Sequence, residues 1–428
     1  MKKVEMKYGK EMVDFLIPSK NILGSISSTY ISSGDSEEDI IIEALENPIN
    51  SLKLEELVNK GEKVCIVISD VTRLWQKMWM FLPYVVERLN KAGVKDEDIC
   101  FLCATGSHRK QSKDEHDSLL GDKLKDRFKV IDHNSFDKDN LMDIGITSYG
   151  TPLSISKTAM EADHIILTGA VVYHDLAGWG GGRKSILPGI AGYESIMTNH
   201  GLALGEELGS GSNPNIGCGK AENNPIHLDM VEAARMVDPT FLFNVIIGSD
   251  GRIVNAVAGD YIDAHNIGME IVEDLDSVEI EKKADLVVGS LGGYPKDINL
   301  YQATKGLSNC KEAVKDGGYI ILLCQCQEDY GSNDLKDILL DFENNYDREI
   351  SLRDKFTVAK YIGFDTALSA EKYNIILVSD LNKKELASSG IKVVDTVEEA
   401  LSIVENNIGE DYEVYLMPSS GSTLPLVL

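Results

Sequence analysis

KVCIVISDVTRLWQKMWMFLPYVVERLNKAGVKDEDICFLCATGSHR, residues 63–109, sets the fold class. It opens with a nearly continuous apolar run, Lys63–Ser69. Met80–Lys91 then carries apolar residues at three- and four-residue intervals, the spacing of one helix face. A second apolar run, Asp98–Ala104, follows. Strands that are apolar on both faces and joined by a helix predict a parallel sheet covered on both sides.

The same alternation extends in both directions. Phe128–Asp132, His164–Gly169, Ala284–Ser290, Tyr319–Cys324, Asn374–Ser379 and Glu413–Met417 read as strands, and His227–Val237 as a helix. Phe241–Gly259 differs. Asp250-Gly251 lies between two strand-like runs there and predicts an antiparallel hairpin. At roughly 150 residues per domain, 428 residues admit two or three domains. The acidic stretch Asp274–Lys283, just before a new strand, is the best boundary. The expected fold is α/β: two α/β domains with mostly parallel sheets and the active site in the cleft between them. The first is expected over 1–270 and the second over 271–410, with the tail 411–428 returning to the first. Gly209–Asn224, rich in Gly, Ser and Asn, reads as a long loop.

Composition narrows the function. There are 42 Lys+Arg against 69 Asp+Glu, a formal net charge of −27. Such a surface repels nucleic acid and anionic membrane, so neither is an expected partner. No run of 18 apolar residues is present, and no apolar segment follows the N-terminal lysines as in a signal peptide. A cytoplasmic protein is expected. Seven cysteines are too few for a disulfide framework. Cys65, Cys100 and Cys103 read as core thiols, and Cys324 and Cys326 as neighbours on one strand face.

In an open α/β sheet, ligands bind beyond the carboxyl ends of the strands. The residues there are chemically rich. Asp70-Val71-Thr72-Arg73 follows the first strand and Thr105-Gly106-Ser107-His108-Arg109 the second. Val171-Val172-Tyr173-His174-Asp175 follows the fourth, and Leu291–Asp297 follows Ser290. Arg73 suits a bidentate carboxylate clamp. Asp70 can orient a histidine or cap a helix. His108 and His174 reach one sheet edge from different strands, whereas His116, His133, His164, His227 and His265 lack comparable context and read as structural. Gly180-Gly181-Gly182-Arg183-Lys184 is not a Walker A loop, because Arg183 stands where that loop needs glycine. Nor is it a GxGxxG fingerprint. Its glycines would let backbone approach a bulky ligand, and its basic pair suits an anion or, at Lys184, covalent chemistry.

TGAVVYHDLAGWGGGRKSILPGIAGYESIMTNHG, residues 168–201, resembles the lactate racemase family of nickel-dependent 2-hydroxyacid racemases and epimerases. DVTR at Asp70, TGSHR at His108, NNPIHLDMVEAA at Asn223 and GGYPKDINLYQATKG at Gly292 extend the resemblance over nearly the whole chain. One departure is Leu74, where family members often have proline; it alters a helix entry but no charge. The resemblance implies a nickel pincer nucleotide, the pyridinium-3-thioamide-5-thiocarboxylic acid mononucleotide nickel, attached covalently at Lys184. Gly180, Gly181, Gly182 and Thr72 would line that cofactor, and His200 would be its protein ligand to nickel. It further implies His108 and His174 as paired acid–base catalysts, and Arg73, Asp70 and Lys296 as substrate-binding residues, Lys305 being the alternative lysine. The implied reaction is reversible hydride transfer from a 2-hydroxyacid through a 2-keto acid, in a protein served by cofactor-biosynthesis enzymes. Two other readings compete: a zinc hydrolase built on His108, His174 and His200, and a non-catalytic hydroxyacid binder.

Overall fold

The computed structural model describes residues 1–28 and 34–428. Its backbone contacts divide the chain into two compact units. One holds residues 34–202 and 219–275. The other holds 1–28, 203–218 and 276–428.

The first unit is built on a six-stranded sheet. Its strands are β1 (Val64–Ser69), β2 (Ile99–Ala104), β3 (Val130–Asp132), β4 (His164–Ala170), β5 (Phe241–Ile247) and β6 (Ile253–Gly259), in the order β6-β5-β4-β1-β2-β3. Every pair is parallel except β5–β6, the hairpin that Asp250-Gly251 predicts. The first five residues of β1 are fully buried, as a central parallel strand requires. Helix α1 (Met78–Lys91) covers one face with Met78, Phe81, Leu82, Val85, Val86 and Leu89, all at 0% exposure. Their three- and four-residue spacing puts them on one stripe, and each contributes about 1.5–3 kcal/mol on burial. Phe81 meets Phe243 of β5 with ring centroids 5.0 Å apart.

The strand order fixes where chemistry can occur. From β1 the chain steps one way to β2 and β3, and later the other way to β4 and β5. The order therefore reverses between β1 and β4, and the loops leaving their carboxyl ends diverge and leave a crevice. Those loops begin at Asp70 and at Val171.

The second unit has its own six-stranded parallel sheet. Its order is Lys392–Val394, Asn374–Val378, Val314–Leu323, Ala284–Ser290, Val414–Met417 and Ile22–Ser25. Here the organisation differs from the sequence expectation. The 411–428 tail does not return to the first unit. Val414–Met417 pairs with Ala284–Ser290, and Leu424–Val427 with Ser277–Ile280. All four residues of Val414–Met417 are buried, so that strand needs an interior place, which this sheet supplies. The N-terminus joins the same unit. A hairpin, Lys2–Tyr8 with Glu11–Ile17, lays Val4, Met6, Phe15 and Ile17 into its core. The strand after Val314 stops at Leu323, so Cys324 and Cys326 do not share a strand face. Cys326 lies in a left-handed turn at φ 57°. Buried Cys65, Cys103, Cys310, Cys324 and Cys326 are core thiols outside any disulfide. Among the described residues no helix is long and apolar enough to cross a membrane.

Candidate active site

Asp70, the first residue after β1, is 3% exposed and caps the following short helix through Thr72 N–H, 3.0 Å away. The Thr72 hydroxyl donates to the same oxygen, Oδ1, at 2.5 Å. The other oxygen, Oδ2, accepts from His108 Nδ1 at 2.5 Å. Burial pulls the Asp70 carboxyl up, but the hydrogen bonds from His108 and Thr72 outweigh it and hold the group below its usual range. With its proton on Nδ1, His108 presents an unprotonated Nε2 from a half-exposed ring. This carboxylate–imidazole pair has the geometry of a general base with a fixed tautomer. Beside it, the Arg73 guanidinium bonds only to Thr72 oxygens, at 3.2 and 3.5 Å. Among the described residues it has no carboxylate partner, which leaves its fork available to an anion.

The loop after β4 supplies the second histidine. Tyr173–His174 pairs with Gly178–Trp179 as a two-residue ribbon, and the Tyr173 and Trp179 rings stack at 4.5 Å. The amides of Leu176 and Ala177 donate to His174 Nδ1 at 3.1 and 3.3 Å, and Asp175 Oδ1 lies 3.1 Å from the same nitrogen. An unprotonated Nδ1 thus finds two amides. A protonated one finds a carboxylate and leaves Nε2 as a base. Both proton arrangements are supported, as a group that cycles between acid and base requires.

Lys184 stands in the next turn, whose carbonyl accepts from Gly189 at 3.0 Å. Gly106 of the His108 turn donates to Gly189 O at 2.9 Å, so the two turns are joined. His200 is on helix α2 (Tyr193–Gly201) and is 5% exposed. Its Nδ1 donates to Ile196 O at 2.9 Å, which leaves the Nε2 lone pair free to ligate. Burial, then the nearby Lys184 charge, push its pKa down to about 3, so the imidazole is neutral at physiological pH.

Two family models match the sequence: the lactate racemase N-terminal domain over residues 8–211 and the lactate racemase C-terminal domain over 279–424. The chain belongs to the lactate racemase family. It is 34% identical to the lactate racemase of Thermoanaerobacterium thermosaccharolyticum, with 99% of each chain covered. It is 32% identical to that of Lactiplantibacillus plantarum, with 97% of each covered. Its fold matches the structure of the lactate racemase apoprotein from the former organism with a TM-score of 0.90 at 33% identity, covering 99% of this chain and 100% of that one. A Thermotoga maritima protein at 18% identity and TM-score 0.65, covering 93% of this chain and 100% of that one, shares the fold alone. Like its family, the chain is an isomerase, a racemase.

Several expectations change within this lactate racemase framework. The glycine run does not open a ligand-facing gap on its Cβ side. A Cβ at Gly181 would stand 2.6 Å from Asn244 Oδ1 and 2.7 Å from Ala170 O, and one at Gly182 only 2.5 Å from His265 Cδ2. With φ of 72° and 53°, both residues serve the packing of the loop itself. Gly180 makes ordinary contacts. Arg183 is not paired with Lys184 toward an anion. It is 3% exposed and points into the protein. Among the described residues no three His, Cys, Asp or Glu side chains are grouped to hold a metal, so the three-histidine zinc site does not form.

Other residues gave no sequence signal. Asp229, fully buried on helix α3 (Pro225–Val237), accepts from Thr147 at 2.5 Å, Thr151 at 2.7 Å and Asn199 at 2.8 Å, and so anchors the helix that carries His200. Asn244 accepts from Gly182 N–H at 2.9 Å. In the second unit, Lys296 lies exposed in the turn after Ala284–Ser290, its N–H bonded to Gly293 O at 2.8 Å. Lys305 lies on the next helix, bonded to Gln302 at 2.7 Å.

Proposed function

We propose that this chain interconverts the enantiomers of lactate or a closely related short 2-hydroxyacid. The observation that carries the reading is the Asp70–His108 pair beside Arg73, set at the sheet's reversal point in a chain aligned end to end with lactate racemases. The α-hydrogen of a 2-hydroxycarboxylate is barely acidic, whereas its hydroxyl proton is within reach of an imidazole base. Arg73 holds the substrate carboxylate. His108 Nε2 takes the hydroxyl proton of one enantiomer while Asp70 stabilises the imidazolium. His174 does the same for the other enantiomer, so the planar 2-keto acid is protonated at oxygen on either side.

The residues fit a nickel pincer nucleotide. His200 offers one neutral imidazole, among the described residues no cluster supplies further ligands, and Lys184 provides an amine close enough to perturb it. A metal bound here needs ligands from a non-protein group, and soft sulfur donors with imidazole suit nickel. Such a group supplies an electron-poor ring that accepts and returns the α-hydrogen as hydride. The chain's own work is orientation and proton transfer. The cofactor would be built by dedicated biosynthesis enzymes.

The test is chiral chromatography of single-enantiomer lactate with protein produced alongside those enzymes, together with its intact mass. Racemisation, an excess mass lost in Lys184→Ala, and nickel lost in His200→Ala are expected. An active enzyme of unmodified mass refutes the tether. Bound nickel with no turnover of any 2-hydroxyacid refutes the reaction.

A further inference from the structure

Arg183 is buried, yet among the described residues no carboxylate pairs with it, and burial alone pushes its pKa down, to about 9. It remains a cation at neutral pH. Its donors go to backbone carbonyls of its own loop: Ala177 O at 2.9 Å, Trp179 O at 2.9 Å and Gly181 O at 3.4 Å. Nη2 also meets His227 Nδ1 at 2.8 Å and Nη1 lies 3.1 Å from His265 Nε2, whereas Nε is buried and has no hydrogen-bond partner. The neutral His265 ring donates from Nε2 to Gly180 O at 2.8 Å, so it packs against the guanidinium without accepting from it. Burial, with the Arg183 charge behind it, holds His227 down at about 3 and His265 well below its usual value, so both rings stay neutral. The loop from Ala177 to Gly181 is therefore wrapped around the guanidinium of its own Arg183.

What that wrapping holds is functional at both ends. Upstream, Gly178–Trp179 is the ribbon partner of Tyr173–His174, and the Ala177 amide donates to the His174 ring. Downstream, the Gly181 carbonyl accepts from the Lys184 amide at 3.1 Å. We propose that Arg183, seated between His227 and His265, is a positioning residue that fixes the acid–base His174 and the Lys184 turn relative to each other through the Ala177–Gly181 backbone. Its effect on turnover rests on the racemase reading above; its effect on the loop does not. Fork geometry is what the site uses, because four acceptors are spread around one planar group. A lysine delivers the charge from a single point and reaches fewer of them.

The experiment compares wild type, Arg183→Met and Arg183→Lys by amide hydrogen exchange without cofactor, and by racemase kinetics with it. Arg183→Met should speed exchange of the Leu176, Ala177, Gly180 and Lys184 amides at least 100-fold, with β1 and β2 amides unchanged. In the loaded enzyme its kcat should fall at least 100-fold with KM within about threefold. Arg183→Lys should lie between on both measures. Loop exchange unchanged in Arg183→Met, or rising equally in β1 and β2, overturns the proposal. So does a kcat within threefold of an active wild type. A wild type that does not racemise lactate overturns the racemase reading instead and leaves the exchange result to decide on Arg183. His227→Asn, which keeps a neutral acceptor, should preserve loop protection; loss of protection there equal to Arg183→Met would mean that packing, not the guanidinium, holds the loop.

Discussion

Asp70→Asn is the most revealing single change at the site. Asp70 Oδ1 accepts from two donors, the Thr72 amide at 3.0 Å and the Thr72 hydroxyl at 2.5 Å. An asparagine must therefore keep its carbonyl oxygen on that side. Its NH2 then occupies the place of Oδ2, 2.5 Å from His108 Nδ1. An NH2 there donates to Nδ1 and drives the ring proton to Nε2, the atom that must take the hydroxyl proton. Two losses combine. The charge-assisted bond alone is worth about 1.5–3 kcal/mol, or roughly 13- to 160-fold in rate. The wrong tautomer adds to it, as replacing the orienting carboxylate of a catalytic triad by amide costs about 10⁴-fold. Asp70→Ala removes the bond but imposes no tautomer. The expected order of kcat/KM is wild type, then Asp70→Ala, then Asp70→Asn, with Asn at least 100-fold below wild type. Because the equilibrium constant of a racemisation is one, kcat/KM must fall equally for both enantiomers. The assay is initial-rate kinetics on each enantiomer, with ring tautomer read by nitrogen NMR. Asp70→Asn as active as Asp70→Ala would refute the tautomer argument. The pH dependence has a fixed sign. The folded pKa of Asp70 lies below the unfolded value of about 3.9, so its stabilising contribution is complete above that pH and is lost as pH falls through the folded pKa. The stability gap between wild type and Asp70→Asn should narrow as pH falls below about 4.

Arg73→Lys keeps the charge and loses the fork; kcat/KM for lactate should drop roughly 10- to 100-fold, while a neutral 2-hydroxyamide analogue, bound without the carboxylate, should show no such drop between the two enzymes. Burial and the Lys184 charge hold His200 down at about 3 in the cofactor-free protein, so its ring signals in nitrogen NMR should not titrate between pH 7.5 and 5; a midpoint near 6.5 would show a solvent-like imidazole. Gly181→Ala places a methyl 2.6 Å from Asn244 Oδ1 at a φ of 72°, and thermal unfolding should report a loss of about 2–4 kcal/mol. An unchanged Tm would mean that the loop repacks freely.

The α/β class, the hairpin at Phe241–Gly259 and the strand ends carrying Asp70, His108 and His174 were legible in the sequence, because periodicity and turn chemistry are local. Family membership was legible too, from the 168–201 segment. Other features depended on the tertiary fold. The apolar run Val414–Met417 looks the same whichever sheet it joins; only long-range pairing places it beside Ala284–Ser290. Arg183 and Lys184 are adjacent in sequence and alike in charge. The fold buries one among its own loop carbonyls and leaves the other beside His200. His227 and His265 had no local mark, because their role comes from a guanidinium 44 and 82 residues away along the chain. Sequence determines which groups are available and where strands end. Which donor meets which acceptor is settled by burial, since a polar group removed from water must find a partner in whatever part of the chain the fold brings near it.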